Sequence, residues 1–235
     1  MKQYKHLLFD VDDTLLDFDS AELGALPLVC NDYGIPYSEE IRQVYRDINE
    51  ELWGALEIGR VTRHELLTTR FTRLFETFGY TVNGAEADAR YRDYLVVGQQ
   101  FVPHADEVIR TLSQSQKFDL YIVTNGATDT QHKRLRHAGI HGHFNDIFVS
   151  EQTGSQKPMP AFFDYVFERI PQFNANETLI IGDSFGADIV GGHHAGIDTC
   201  WLNAKGKEPT VNIPVTYEID NLRELYTVLN IKQTV

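Results

Sequence analysis

The stretch "HLLFDVDDTLLDFDS", residues 6–20, runs His6 to Phe9 without a charged carboxylate and then meets Asp10, Asp12, Asp13, Asp17 and Asp19. A short apolar run that ends abruptly in turn-forming residues reads as a strand buried on both faces. The acids at its end repel one another, and withdrawing a carboxylate from water costs several kcal/mol unless something positive compensates. Either these residues face water in a turn, or they hold a cation and do chemistry.

The same design recurs along the chain. "LYIV" (120–123) leads into Thr124, and "TLII" (178–181) leads into Gly182-Asp183. "TCWLN" (199–203) reads as the next strand. Helical patterns lie between and around these strands: "ADEVIRTLSQS" after Pro103, "DTQHKRLRHAG" ending at Gly139, and "PAFFDYVFERI" after Pro158. Strands alternating with helices predict an α/β fold, a doubly wound parallel sheet whose active site lies beyond the carboxyl ends of the strands. Asp10, Thr124 and Asp183 all fall at those ends.

One segment breaks the alternation. From Asp17 to Gly98 the signals are helical only, which predicts an α-helical insert of four helices at 17–98 and a core built from 1–16 and 99–235. The first helix carries the stripe Leu23, Leu26, Cys30 and Tyr33, with Asp19 and Glu22 as a capping pair. The second carries Ile41, Val44, Tyr45, Ile48 and Leu52. Thr62-x-x-Glu65 is a capping box opening the third, with Leu67, Phe71, Leu74, Phe75 and Phe78 inside and Gly79 as its stop. A weaker fourth pattern covers 86–97. Trp53, Phe71, Phe75 and Phe78 are expected in the core of this insert, and most of its arginines (Arg42, Arg46, Arg60, Arg63, Arg70 and Arg73 among them) are expected to be solvated partners of neighbouring acids. The stretch 203–216 is expected to be a surface loop.

Composition bounds the function. Hydrophobic residues make up 42% and charged residues 23%, as in a soluble globular protein. A formal charge of −13 argues against a nucleic acid polymer, which needs basic surface, but not against a small anionic substrate gathered by local cations. No run of ~18 apolar residues is present to span a membrane. The N-terminus lacks the apolar core of a secretory signal, and Cys30 and Cys200 match no metal or redox spacing, so a reducing cytoplasm is expected. A monomer or small homo-oligomer is expected. The histidines, including His193-His194 within "GGHHAG", lack zinc spacing; surface and packing roles are expected for them, and close helix packing for the glycines beside them.

Taken in order, the residues at the strand ends are Asp10-Val-Asp12-Asp13-Thr14, then Thr124-Asn125-Gly126, then Lys157-Pro158, then Gly182-Asp183-x-x-x-x-Asp188. Each fragment alone is a weak or moderate signal. Together, on these motifs, the chain resembles the haloacid dehalogenase-like hydrolase superfamily over nearly its whole length, including a helical cap inserted after the first strand. The resemblance implies a Rossmann-like core with the substrate cleft between core and cap. It implies that Asp10 is the nucleophile and that Asp12 protonates the leaving alcohol and then activates water. It further implies that Asp10, the main-chain carbonyl of Asp12 and Asp183 hold Mg²⁺. Thr124 and the Asn125 backbone N–H would bind the transferring phosphoryl group, and Lys157 would bridge nucleophile and phosphoryl oxygens. Asp188 would orient Lys157 or a metal-bound water rather than touch the ion, and Asp13 would have no chemical role.

The chemistry explains the residue types. Hydrolysis of a phosphomonoester dianion is among the slowest uncatalysed reactions, and a covalent carboxylate intermediate divides it into two easier steps. Asp12 argues against a dehalogenase, which lacks that acid/base residue, and the absence of any lysine between Asp17 and Gly98 argues against a phosphonatase that needs a cap Schiff base. The opening "FDVDDTLLDF" followed by "DSAE" resembles cap-bearing nucleotidases acting on nucleoside 5′-monophosphates. The expectation is therefore a Mg²⁺-dependent 5′-nucleotidase whose partner is a small phosphorylated metabolite. The alternatives are a phosphatase of small sugar phosphates or phosphoglycolate and, from a different class, a catalytically silent phosphate-binding regulatory module.

Overall fold

The computed structural model describes residues 2–231. Among these residues six strands form one parallel sheet: β1 (His6–Phe9), β2 (Asp119–Thr124), β3 (Asp146–Val149), β4 (Thr178–Gly182), β5 (Asp198–Leu202) and β6 (Tyr217–Ile219). Their order in space is β3-β2-β1-β4-β5-β6. The winding direction reverses between β1 and β4, which makes their carboxyl ends the switch point where open α/β sheets bind ligands. In register, Phe9 lies beside both Ile122 and Ile181, so Asp10 emerges level with the ends of its two neighbours. β3 (four residues) and β6 (three residues) are not among the strands expected from the sequence.

Side chains alternate across the sheet as the pleat requires. Leu7, Phe9, Leu120, Ile122, Leu179 and Ile181 pack on one face with α5 (Ala105–Ser115), which contributes Val108, Ile109 and Leu112. Leu8, Tyr121, Val123 and Ile180 pack on the other. There, beyond α6 (Thr128–His137) and the short α7 (Ser150–Thr153) in sequence, α8 (Pro160–Phe167) supplies Phe162, Phe163 and Val166. After β4 a π-helical turn, Phe185–Val190, leads into α9 (Gly191–His194). A Cβ on Gly192 would come within 2.5 Å of Ile180, and one on Gly191 within 2.8 Å of Phe163, so close packing explains "GGHHAG". The loop 203–216 has no regular structure, and the last helix is α10 (Leu225–Val228).

By contacts the chain divides into two compact units, Met1–Phe18 with Gln99–Val235, and Asp19–Gly98. The second is helical: most of α1 (Phe18–Asp32), then α2 (Glu39–Glu57), α3 (Arg63–Thr77) and α4 (Gly84–Leu95). The α3 capping box forms as expected, the Thr62 N–H donating to Glu65 Oε2 at 2.7 Å and the Glu65 N–H to Thr62 Oγ1 at 3.1 Å. Gly79, at φ 79°, takes the left-handed position that stops the helix.

Several details depart from the sequence expectation. The buried face of α1 is Ala21, Glu22, Ala25, Leu26, Val29 and Cys30, while Leu23 is 48% exposed. Asp19 and Glu22 form no cap. Asp13 accepts the Phe18 N–H at 3.0 Å, and Asp19 takes Arg46 at 2.7 Å. In α3, Leu66 and Arg70 are buried, whereas Leu67 and Phe78 are half-buried; Val44 and Trp53 of α2 are half-buried too. In α3 the register shifts by one residue where Leu66 and Leu67 stand side by side, and Leu66 takes the buried position.

Arg70 is the main departure. Arg73 and Arg46 pair with acids at the surface as expected, but Arg70 is buried within an aromatic cluster of Tyr45, Phe71 and Tyr91. Its guanidinium donates to Asp88 at 2.6 Å, Asn49 at 2.9 Å and Tyr45 at 3.1 Å. A buried cation survives only with such compensation.

Glu22 is compensated less well. It is buried, its Oε1 has no hydrogen-bond partner, and Arg46 Nε stands 3.9 Å away. Burial, opposed by Arg46, pushes its carboxyl up to about 7. A carboxyl whose folded pKa is raised contributes stability below its unfolded pKa and loses it as pH rises through the folded value. Glu22→Gln is therefore expected to be near neutral at pH 5 and to stabilise the protein at pH 8 by up to about 3 kcal/mol, measured by urea unfolding at both pH values. Equal effects at the two pH values would contradict it.

Candidate active site

Strand β1 ends in a loop that presents Asp10 and Asp12; β2 ends at Thr124, and β4 ends just before Asp183. The residues expected from these ends do converge. Lys157, from the loop before α8, is 1% exposed, and its ammonium donates to Asp10 Oδ1 at 2.8 Å, Asp188 Oδ1 at 2.6 Å and the Val123 carbonyl at 2.7 Å. All three ammonium hydrogens are thereby used. Burial works against the charge, but Asp10 and Asp188 outweigh it and hold Lys157 above the usual lysine range.

Lys157 and, from the surface, Lys207 do not neutralise the three acids they face. Asp10, Asp183 and Asp188 each offer a carboxylate oxygen, all within 4.8 Å of one another. Burial pushes Asp188 up to about 8 and Asp183 up to about 6, with Asp10 adding repulsion to both. Burial raises Asp10 as well, against the pull of Lys157. Hard oxygen donors carrying excess negative charge fit a hard divalent cation. Asp188 is the least available of the three, since its Oδ1 takes Lys157 and its Oδ2 accepts the Ser184 N–H at 3.1 Å. Asp10 and Asp183 are the carboxylates left to hold an ion.

Supporting contacts fix the loops, and the motifs alone did not disclose them. Thr14, fully buried, accepts the Asp183 N–H at 3.0 Å and so ties the β1 loop to the β4 loop. Trp201 Nε1 donates to the Asp183 carbonyl at 3.0 Å. The Asn125 side chain clamps the Lys157 backbone, its Nδ2 donating to the carbonyl at 2.9 Å and its Oδ1 accepting the N–H at 2.8 Å. This gives Asn125 a task beyond the backbone donor expected of it. Lys207, in the stretch read as a surface loop, reaches Asp183 at 3.2 Å, and Lys205 reaches Asp13 at 3.4 Å. Asp13 stands at φ 57°, a conformation that Asp tolerates.

Two residues of α6 were missed altogether. Gln131 Nε2 donates to Asp12 Oδ2 at 2.7 Å and to Thr124 Oγ1 at 2.9 Å, and Arg134 pairs with Asp12 Oδ1. Both are 1% exposed. Polar residues on the buried face of an otherwise surface-like helix were the available signal.

Among the described residues no helix is long and apolar enough to cross a membrane. The family model of haloacid dehalogenase-like hydrolases matches residues 4–196. The chain is 53% identical to YfnB of Bacillus subtilis, named as a HAD-hydrolase, over 100% of this chain and 99% of that one. The crystal structure of YfnB bound to magnesium matches with a TM-score of 0.93, covering 98% of this chain and 100% of the other. Pyrimidine 5′-nucleotidase PynA of Streptococcus pneumoniae is 39% identical over 97% of this chain and 95% of its own. Pyrimidine 5′-nucleotidase YjjG of Escherichia coli is 30% identical over 95% and 96%. A parallel sheet whose switch point gathers Asp10, Asp12, Thr124, Lys157 and Asp183, matched by that family model over most of its length, makes the chain a member of the haloacid dehalogenase-like hydrolases.

Proposed function

We propose that this chain is a Mg²⁺-dependent phosphomonoester hydrolase working through an aspartyl-phosphate, with nucleoside 5′-monophosphates as its substrates. The observation that carries the reading is Lys157, buried between Asp10 and Asp188 at the switch point, with Asp183 close by and Asp12 two residues beyond Asp10. The names of PynA and YjjG support the nucleotide class. On this reading the helical unit, Asp19–Gly98, is the family's cap.

Asp10 attacks phosphorus with its carboxylate. The bond from phosphorus to the ester oxygen breaks as the aspartyl-phosphate forms, and Asp12 gives its proton to the departing alkoxide. Asp12 then takes a proton from the water that attacks phosphorus, releasing phosphate and restoring Asp10. Lys157 keeps a fixed positive charge beside the nucleophile. The Thr124 oxygen accepts from Gln131 and from the Gly126 N–H, which leaves its own O–H free to donate to a phosphoryl oxygen. Asp188 orients Lys157. Mg²⁺, held by Asp10 and Asp183, would supply charge that offsets repulsion between the carboxylate and the dianionic substrate.

A phosphate-release screen across nucleoside 5′-monophosphates, sugar phosphates and phosphoglycolate, with Mg²⁺ and with chelator, tests this. Hydrolysis of nucleotides that stops on chelation is expected. Preference for a sugar phosphate would overturn the substrate class, and no turnover of any phosphomonoester would overturn the reading.

A further inference from the structure

The buried face of α6 consists of Thr130, Gln131, Arg134 and Leu135. Three polar side chains, one of them charged, stand where a helix packed on a sheet ordinarily presents apolar ones. Arg134 is poorly provided for as a structural residue. Its Nη1 bonds Asp12 and the Gln131 Oε1 (3.1 Å), whereas its Nε and Nη2 are buried without a hydrogen-bond partner. Its guanidinium lies 5.6 Å from the Phe18 ring centre, which fills one side of it with apolar surface. Gln131 is fully committed: one amide nitrogen serves Asp12 and Thr124, and the oxygen accepts from Arg134. A flip would set the amide oxygen against the Asp12 carboxylate and the amide nitrogen against the Arg134 guanidinium, losing both of those bonds. Space for it depends on Gly126, where a Cβ would stand 2.5 Å from Gln131 Cγ and Nε2.

We infer that Gln131 and Arg134 are positioning residues: together they form a fork that grips both oxygens of the Asp12 carboxylate and sets its direction toward the leaving oxygen and the attacking water. The inference rests on the hydrolase reading above. Neither fork residue touches the phosphoryl group; Arg134 acts through Asp12, and Gln131 through Asp12 and, by its second bond, Thr124. Gly126 belongs to the same device because it leaves room for the Gln131 amide. Misplacement of a proton-transfer group by about 1 Å can cost about 100-fold in rate.

The test uses the leaving group. Departure of the ribose 5′-oxygen of uridine 5′-monophosphate needs a proton from Asp12, whereas the phenolate of para-nitrophenyl phosphate leaves without one. Arg134→Met, Gln131→Met and Gly126→Ala are each expected to lower kcat for the nucleotide about 10- to 100-fold, with KM changed less than about 3-fold. The release of phenol in the first turnover with the aryl substrate should fall less than about 3-fold for Arg134→Met, and for Gln131→Met and Gly126→Ala, which also disturb Thr124, by clearly less than the nucleotide rate. Arg134→Lys should recover part of the nucleotide rate. In an Asp12→Asn background, Arg134→Met should add no further loss, because the residue it acts through is already disabled. Equal proportional losses for both substrates, or additive losses in the double variant, would overturn the inference. Should Arg134→Met fail to fold, Gln131→Met and Gly126→Ala decide the matter. The two failures remain distinguishable. If Asp10→Asn keeps its turnover, the hydrolase mechanism falls and takes the fork with it. If Asp12→Asn shows the leaving-group dependence and the fork variants do not, the fork alone falls.

Discussion

Asp10→Asn is expected to abolish phosphomonoester turnover, by at least about three orders of magnitude, in a protein that folds as well as the parent or better. The amide keeps the shape of the side chain and can still accept a hydrogen bond from Lys157, but it has no charge with which to attack phosphorus. Stability should not suffer, because burial, with Asp12 adding repulsion, raises the Asp10 carboxyl against the opposing pull of Lys157 and the Val11 N–H. Removing that charge leaves Lys157 paired with Asp188 at 2.6 Å. Steady-state phosphate release together with thermal unfolding checks both halves. Retained turnover would refute the nucleophile assignment, and a large drop in unfolding temperature would refute the electrostatic account. Asp13→Asn, by contrast, keeps an oxygen for the Phe18 N–H and tolerates the left-handed backbone, so it should change activity little.

Lys157→Met should be damaging in both respects. It removes the fixed positive charge beside the nucleophile and leaves Asp10 and Asp188 buried without a compensating cation. Breaking a buried ion pair from one side typically costs about 3–5 kcal/mol. The sign with pH follows from the two carboxyls, both already raised and raised further in the variant. Such groups stabilise the fold while protonated and lose that contribution as pH rises through their folded values. The deficit should therefore be small near pH 5 and grow as pH rises through 8, in chelated buffer. Denaturant unfolding at both pH values measures it, and a deficit independent of pH would show that Lys157 acts through packing of its stem instead.

The features legible in the sequence share a physical origin. A strand buried on both faces must be a continuous apolar run, and its end is where the chain can first turn polar, so Asp10, Thr124 and Asp183 could be assigned to strand ends from neighbouring residues alone. Thr62 and Glu65 satisfy each other's backbone donors locally, and that signal was equally readable. What was hidden depends on partners far away in the chain. Gln131 and Arg134 sit in "DTQHKRLRHAG", whose charges suggest a solvated helix until Asp12 is brought beneath it. Lys207 lies in a stretch with the composition of a loop, and nothing local points it at Asp183. Arg70 looked like its surface neighbours because its compensation comes from Asp88, Asn49 and Tyr45 on other helices. Burial of charge is a tertiary property, and periodicity carries no record of it.

The central place of β1 has a consequence for how the polypeptide matures. His6 pairs with Asp119 on one side and Thr178 on the other, so β1, the earliest of the sheet's strands in the chain, is completed by segments synthesised much later. Until then its backbone donors and acceptors and its apolar face lack their permanent neighbours, a condition that favours capture by chaperones or by other nascent chains. The segment Asp19–Gly98 is contiguous in sequence and can gather its own contacts meanwhile. Pulse-labelled hydrogen exchange should thus find amides of α2 and α3 protected before those of β1, and the acidic cluster should assemble only once β4 is in place.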